Sequence, residues 1–411
     1  MDIIKNYKSS LILLLAVVAG GIAGLVLGER ASVIAPLGNL FLNLIFTLLI
    51  PLVFFSISSA IAGIDRSVKI GKAVTVTIAV FCFTALISGI IAILSFVLFN
   101  PAKGIDHNVI ISMMQGTEVS TEASGIFSKV IAAVSVEDFV NILSRKNLLA
   151  LVIFSVLTGV AALRAGDEGR AFVKFLNSGS AVCNKIMELI MYYAPIGLGA
   201  YFANVVGSLG TQIISGYVKV FLLYLIVSIL YFIIFFTLYA YIAGRREGVK
   251  LFWRNAAGPS LTAIATCSSA ACIPINIESA IKMKVPENIA KIIMPIGVNI
   301  HKDGSIMGGI FKTMFLFTIF GRSFNNLNTL TGILMAGLFI GLLVGAIPIG
   351  GSIGEMLILS IFGFPPEALA IMIVIATIID APATLLNSAG NTVCTMMISG
   401  LMRRKEKKIT G

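Results

Sequence analysis

The chain has 411 residues, 58% hydrophobic and 12% charged, with a mean hydropathy of +1.01. This excludes an ordinary soluble domain and fits a polytopic membrane protein. A formal net charge of +11 would suggest nucleic acid as partner of a soluble protein, but the basic residues sit in short connections between apolar runs, where they read as topology signals, and no nucleic-acid partner is expected.

In chain order, apolar spans are expected at residues 11–28, 34–64, 73–99, 148–163, 181–207 and 218–242. The first follows Lys5 and Lys8 and reads as a membrane helix rather than a signal peptide, since no clear small-residue cleavage site follows it. Gly20, Gly21, Gly24 and Gly28 allow close helix packing there. The connection after the second span carries Arg66, Lys69 and Lys72 against Asp65, whereas residues 101–145 hold Asp106, Glu118, Glu122, Glu137 and Asp138. The excess of Lys and Arg places the first connection in the cytoplasm and the second outside. Arg164, Arg170 and Lys174, then Arg245, Arg246, Lys250 and Arg254, mark the next cytoplasmic loops. Both termini are then cytoplasmic, with Arg403, Arg404, Lys405, Lys407 and Lys408 meeting anionic lipid headgroups.

The run 251–281 is basic at both ends, closed by Lys282, Lys284 and Lys291, so it must enter, turn and leave on one side. Its middle, residues 266–274, supplies small side chains, hydroxyls and Pro274 for a turn at membrane depth, and Trp253 reads as an interfacial anchor. A second run, 330–364, is broken at residues 348–352 and lacks the basic excess, so its ends lie outside. Each run precedes a spanning helix with a central aspartate: 289–320 with Asp303, and 368–402 with Asp380. Two re-entrant helical hairpins inserted from opposite sides form an inverted repeat, the pattern that points to a transporter's binding site. Two proline-kinked spanning helices in a channel or scaffold are the alternative.

Within 289–320, Lys302 lies too far from either interface to snorkel. It either forms a structural ion pair with Asp303 or marks an ion or solute site, where Asn299, Gly304 and Ser305 let the backbone unwind along a cavity. In the last helix Asp380, Thr384, Asn387 and Asn391 are spaced 4, 3 and 4, one polar stripe. The stripe is either interhelical glue or a site, with Asp380 suited to an ammonium and Thr384 and Asn387 to a carboxylate. Pro382 kinks that helix. Cys82, Cys183, Cys267, Cys272 and Cys394 all lie in apolar segments and there are only two histidines, which argues against disulfides, a zinc site or another cofactor.

Residues 191–197 (Met-Tyr-Tyr-Ala-Pro-Ile-Gly), the serines Ser268 and Ser269, Pro51 within residues 49–54, Phe99-Asn100-Pro101, Pro348 and Asp303-Gly304 stand in an order that resembles the dicarboxylate/amino acid:cation symporter family, which includes the excitatory glutamate transporters. The resemblance implies an all-α membrane protein of the inner cell membrane, with eight transmembrane helices plus two opposed re-entrant hairpins, working as a homotrimer by an elevator mechanism. Residues 1–70 (helices 1–2) and 104–210 (helices 4–5 with an extracellular loop) would form the scaffold. Residues 71–103 (helix 3) and 211–411 (helix 6, hairpin 251–281, helix 289–320, hairpin 330–364, helix 368–402) would move. Asp380 would take a substrate amine and Asn387, with Thr384, its carboxylate; the main chain around Ser268, Ser269 and Gly350 would complete the pocket, with the Pro348 hairpin as gate. Thr84, Asn299, His301, Lys302, Asp303 and Asn391 would belong to ion coupling, with sodium or a proton as coupling ion.

Departures from the family pattern carry equal weight. Its usual Asn-Met-Asp-Gly-Thr reads His301-Lys302-Asp303-Gly304-Ser305 here, its sodium-binding aspartate is Asn391, and Phe81 and Ala85 replace oxygen-bearing residues beside Thr84. Sodium wants hard oxygens and is repelled by a fixed ammonium, so Lys302 is expected to act as a built-in cation, with proton coupling through adjacent His301 as the variant. Ala383 replaces the arginine that grips an acidic side chain, so a small neutral amino acid is the expected substrate. An acidic amino acid or dicarboxylate, with its extra carboxylate on Lys302, is the alternative. Two other classes are an intramembrane protease using Asp303 and Asp380 or Ser268, which gives the hairpin symmetry no role, and a passive channel, which saturable countertransport excludes.

Overall fold

Backbone groups facing hydrocarbon must bond within their own segment, and in the computed structural model no strand occurs among the described residues, 2–63, 72–104, 136–144, 147–209, 211–343 and 350–409. The α-helices of ten residues or more are α1 (Asp2–Leu27), α2 (Ala35–Ala62), α3 (Lys72–Phe99), α4 (Leu148–Arg164), α5 (Arg170–Leu209), α6 (Thr211–Asn255), α7 (Ala257–Thr266), α8 (Ile273–Lys282), α9 (Glu287–Ile300), α10 (Asp303–Ile319), α11 (Leu327–Leu343), α12 (Gly350–Phe362) and α13 (Leu369–Ile409). By length and composition, the stretches Leu15–Ala62 (containing α2), Thr75–Phe99, Arg170–Ser208, Ile213–Asn255 and Pro366–Met402 can cross a bilayer. Rows of exposed apolar side chains, such as Leu15, Val18, Ile22 and Val26 on α1 and Ile226, Leu230, Ile233 and Ile234 on α6, suit hydrocarbon rather than water.

Three boundaries differ from expectation. Arg170 and Lys174 belong to the first turns of α5 rather than to a loop, because the helix continues past its apolar part through exposed polar residues. The span at 218–242 and the approach to the first hairpin are one element with a kink at Gly244 and Arg245, the latter at φ 54°. The expected single helix at 289–320 is two, α9 and α10, parted by His301 (φ −94°, ψ 102°) and Lys302 (φ −135°, ψ 46°).

The run 251–281 turns at Cys267, in a left-handed conformation, between α7 and α8 of 10 residues each. At about 1.5 Å per residue each limb covers about half a bilayer. A Cβ on Gly258 of α7 would lie 3.3 Å from Ile275 and 3.9 Å from Ser279 of α8, so the limbs lie side by side. In the second run α11 and α12 pack likewise, Gly354 against Ile340 and Gly332 against Phe362; Pro348 and the rest of 344–349 lie outside the described residues.

Contacts fall into two sets. In one, α1 and α2 pack on α5, and α4 on α2; in the other, α6, α7, α8, α9, α10 and α3 gather around α13, whose residues from Val374 to Ile398 are mostly buried on every side. Within the first set the glycines on α1 act as expected: a Cβ on Gly20 would run into the Gly199 carbonyl of α5. Gly20→Leu is therefore expected to destabilise the α1–α5 contact by about 1–3 kcal/mol, read as a lower melting temperature in detergent. Gly244→Ala, where a Cβ meets nothing within 4 Å, should leave the melting temperature unchanged.

Candidate functional site

The site is built on the break between α9 and α10. A helix that starts inside a protein leaves its first N–H groups without partners, and Lys302, at the cap position, supplies no side-chain bond. Asn387 of α13 does so instead: its Oδ1 accepts from Gly304 N at 2.9 Å and Ser305 N at 3.2 Å, while its Nδ2 donates to Ser305 Oγ at 3.0 Å. The approach needs glycine, since a Cβ on Gly304 would strike the Ala383 backbone. Tyr224 Oη completes the joint by donating to Gly304 O at 2.8 Å.

On one side of the break lies an enclosed polar nest. Asp303, fully buried, accepts from Thr84 Oγ1 at 3.2 Å and from Tyr231 Oη at 3.0 Å, and Tyr231 also shares a hydrogen bond with Tyr239 at 2.9 Å. His301 Nε2 stands 3.5 Å from Asp303 Oδ2, 3.2 Å from Thr84 Oγ1 and 3.3 Å from Cys394 Sγ. Its ring is 5.0 Å from that of Phe81, a Cβ on Gly390 would meet it at 2.7 Å, and Nδ1 is buried with no hydrogen-bond partner among the described residues. With a proton, Nε2 donates to the carboxylate; without one, it accepts from the thiol or the Thr84 hydroxyl. The ring can hold or lose a proton while Nε2 keeps a partner.

On the other side is a cavity of about 870 Å³, lined by Asp380, Thr377 and Ala381 of α13, Cys267 at the first hairpin tip, Tyr217 and Phe221 of α6 and apolar residues of α1 and α5. Asp380 is half-buried and accepts from Thr384 Oγ1 at 3.4 Å. Lys302, also half-buried, makes no ion pair with Asp303 among the described residues; Asp380 is near enough for its charge to bear on that of Lys302.

Of the residues singled out from sequence, Thr84, His301 and Asp303 thus meet in the nest, Asp380 lines the cavity with Thr384 bonded to it, and Lys302 stands at the break. Asn387 is engaged by the α10 N-terminus. Asn391 is fully buried and donates to Met294 O at 3.0 Å, filling with its own N–H the place beside that carbonyl; its Oδ1 lacks a partner among the described residues and a Cβ on Gly297 would strike the amide. Ser268 and Ser269 are half-buried at the hairpin tip, where Ser268 Oγ accepts from Ala271 N at 3.3 Å. Gly350 opens α12, next to the undescribed tip. Asn299 stands apart: it is exposed and its Nδ2 donates to Pro295 O at 3.1 Å in its own helix. Sequence reasoning missed Tyr224, Tyr231 and Tyr239 and a buried ion pair, Lys312 Nζ to Glu355 Oε1 at 2.6 Å. Lone charges within apolar runs were the available signal for that pair.

A family model described as the sodium:dicarboxylate symporter family matches residues 10–401. The proton/glutamate-aspartate symporter of Bacillus subtilis (strain 168) is 25% identical over 409 residues, covering 94% of this chain and 93% of that protein. The C4-dicarboxylate transport protein of the same organism is 23% identical over 409 residues, covering 97% and 94%. The neutral amino acid transporter B(0) of Rattus norvegicus is 26% identical over 250 residues, covering 60% of this chain and 45% of that protein.

The Asn391 geometry yields a direct test. Asn391→Asp removes the N–H that faces Met294 O and adds a carboxylate there, so sodium should raise the melting temperature of the variant and leave that of the wild type where potassium or choline leaves it.

Proposed function

The chain belongs to the sodium:dicarboxylate symporter family, and from that premise we propose that it carries an acidic amino acid or dicarboxylate across the membrane in symport with a proton held at His301. As a member of that family it is a membrane transporter and not an enzyme. The observation that carries the proton assignment is the contact of His301 with Asp303 in the enclosed nest. A sodium ion within 4 Å of a protonated imidazole would be opposed by about 4 kcal/mol at an effective dielectric of 20, and a neutral imidazole brings nitrogen where sodium favours oxygen. The resident cation is therefore the proton, and the role expected of Lys302 passes to its neighbour.

Lys302 then serves the substrate. An ammonium on Asp380 and a carboxylate near Lys302 would place the substrate between the first hairpin tip and α13, with Thr384 orienting Asp380. The names of the Bacillus subtilis relatives support an acidic substrate. A small neutral amino acid is the second reading, favoured by Ala383, whose buried backbone contact with Gly304 leaves no arginine at that position.

In this reading residues 251–281 and 330–364 are opposed re-entrant hairpins, the second gating the site. Residues 71–103 and 211–411 slide as an elevator against a scaffold of 1–70 and 104–210, in a homotrimer of the inner cell membrane with both termini cytoplasmic and lipid around the apolar rim. The two sets of helix contacts support the division.

Uptake into proteoliposomes should be driven by an acid-outside pH step and be indifferent to replacing sodium by choline. His301→Asn should lower pH-driven uptake at least about tenfold while leaving substrate binding intact; strict sodium dependence in the wild type would remove the proposal. Lys302→Met should weaken glutamate binding about tenfold more than serine binding, a difference of about 1.4 kcal/mol. Equal loss for both returns the substrate to the neutral class.

A further inference from the structure

Lys312 and Glu355 are the buried charges that the binding reading leaves unused. Lys312 lies on α10 and Glu355 on α12, the limb that follows the undescribed tip of the second hairpin. Their side chains are 10% and 3% exposed, and Nζ meets Oε1 at 2.6 Å. A buried ion pair is weak evidence of stability, because desolvation offsets the attraction, yet loss of one partner forces the other toward the nearest opposite charge.

For Lys312 the packing of α10 on α13 offers Asp380. Gly304 abuts Ala383, and a Cβ on Gly308 would lie 2.9 Å from Ile379, so α10 and α13 pass in opposite senses. One further turn brings Lys312 level with residues 375 and 376. Helical side chains lean toward the N-terminus, which turns the Lys312 stem back along the about 5.4 Å of one turn toward Asp380. Lys312 and Lys302 are both near enough for their charges to bear on Asp380.

We propose that Glu355 governs substrate affinity from the hairpin by holding Lys312 off Asp380. While α12 is packed on α10, the lysine belongs to Glu355 and Asp380 is free to receive a substrate ammonium. When α12 swings away, Lys312 loses Glu355, turns to Asp380 and displaces the ammonium, so opening of the hairpin is converted into release. Lys312 is thus a positioning residue with two alternative carboxylate partners. This rests on the reading that Asp380 receives the ammonium.

The test is equilibrium binding to the full chain in detergent, with glutamate as the amine-bearing probe and succinate as the amine-free one. Glu355→Gln should weaken glutamate binding about tenfold and leave succinate binding unchanged or stronger, because a lysine on Asp380 competes only with an ammonium and screens Asp380 from a carboxylate. Lys312→Gln, which also breaks the pair, should keep glutamate affinity within about threefold of wild type. The double variant Lys312→Gln/Glu355→Gln should restore what Glu355→Gln alone loses. A purely structural pair predicts equal damage from both single variants and to both ligands, and that result overturns the proposal. So does wild-type glutamate affinity in Glu355→Gln, or a folded double variant that stays weak. If the wild type binds succinate but no amino acid, the Asp380 reading itself fails, and this proposal with it.

Discussion

A single carboxylate removed from water sets the terms for the interior. An isolated ionised carboxylate in a low-dielectric medium is unfavourable by many kcal/mol, so Asp303 has to be met from several directions at once. Thr84 comes from α3, Tyr231 from α6 and His301 from the break, with Cys394 of α13 closing the far side of the imidazole. Each contact is short-range and directional, and together they fix where α3, α6, α10 and α13 sit relative to one another. The apolar packing around α13 supplies bulk cohesion, but it does not specify this register; the polar nest does.

That nest requires α9 and α10 to part, and the parting creates a second problem, because the N–H groups of Gly304 and Ser305 would be orphaned in a dry interior. Asn387 resolves it from a neighbouring helix, and glycine at 304 with alanine at 383 lets the two helices come near enough for the amide to reach. The break is therefore held twice: by Asp303 and His301 facing the nest, and by the buried Asn387 cap from α13.

Much of this was legible from sequence. The small residues at the centre of 251–281 announced its turn at Cys267, because backbone satisfaction in a membrane is governed by local composition; residues 330–364 likewise form two packed limbs, whose expected break at Pro348 lies outside the described residues. The stripe from Asp380 to Asn391 was equally visible, but its two readings, glue and site, each hold for part of it: Asn387 and Asn391 bind neighbouring backbone, while Asp380 faces the cavity. Which of His301 and Lys302 bonds inside the nest could not be read. His301 and Lys302 are adjacent, and once the backbone leaves the helix for extended geometry successive side chains point to opposite faces, so His301 enters the nest and Lys302 does not. A helical reading of 289–320 conceals that alternation. The Lys312–Glu355 pair was hidden for a different reason: its members lie on separate elements, and only the packing of α12 on α10 brings them together.

The same alternation has a mechanistic consequence. A transporter that couples two species needs one element whose arrangement both can bias. Here the candidates are the peptides from His301 to Ser305. The state of the imidazole sets whether Nε2 donates to Asp303 or accepts from its neighbours, which acts directly on the backbone between α9 and α10. A ligand at Asp380 acts through Thr384, one turn before Asn387 on the same helix, and Asn387 grips the first N–H groups of α10. If His301 holds the proton and Asp380 the substrate amine, as proposed, the two act on one broken helix from different places, the nest and the cavity, with no water-filled path needed between them. Their communication depends on whether the cap at Gly304 and Ser305 can shift without losing both its hydrogen bonds. The bidentate acceptance by one amide oxygen makes that joint stiff, so a change on either side is transmitted rather than absorbed.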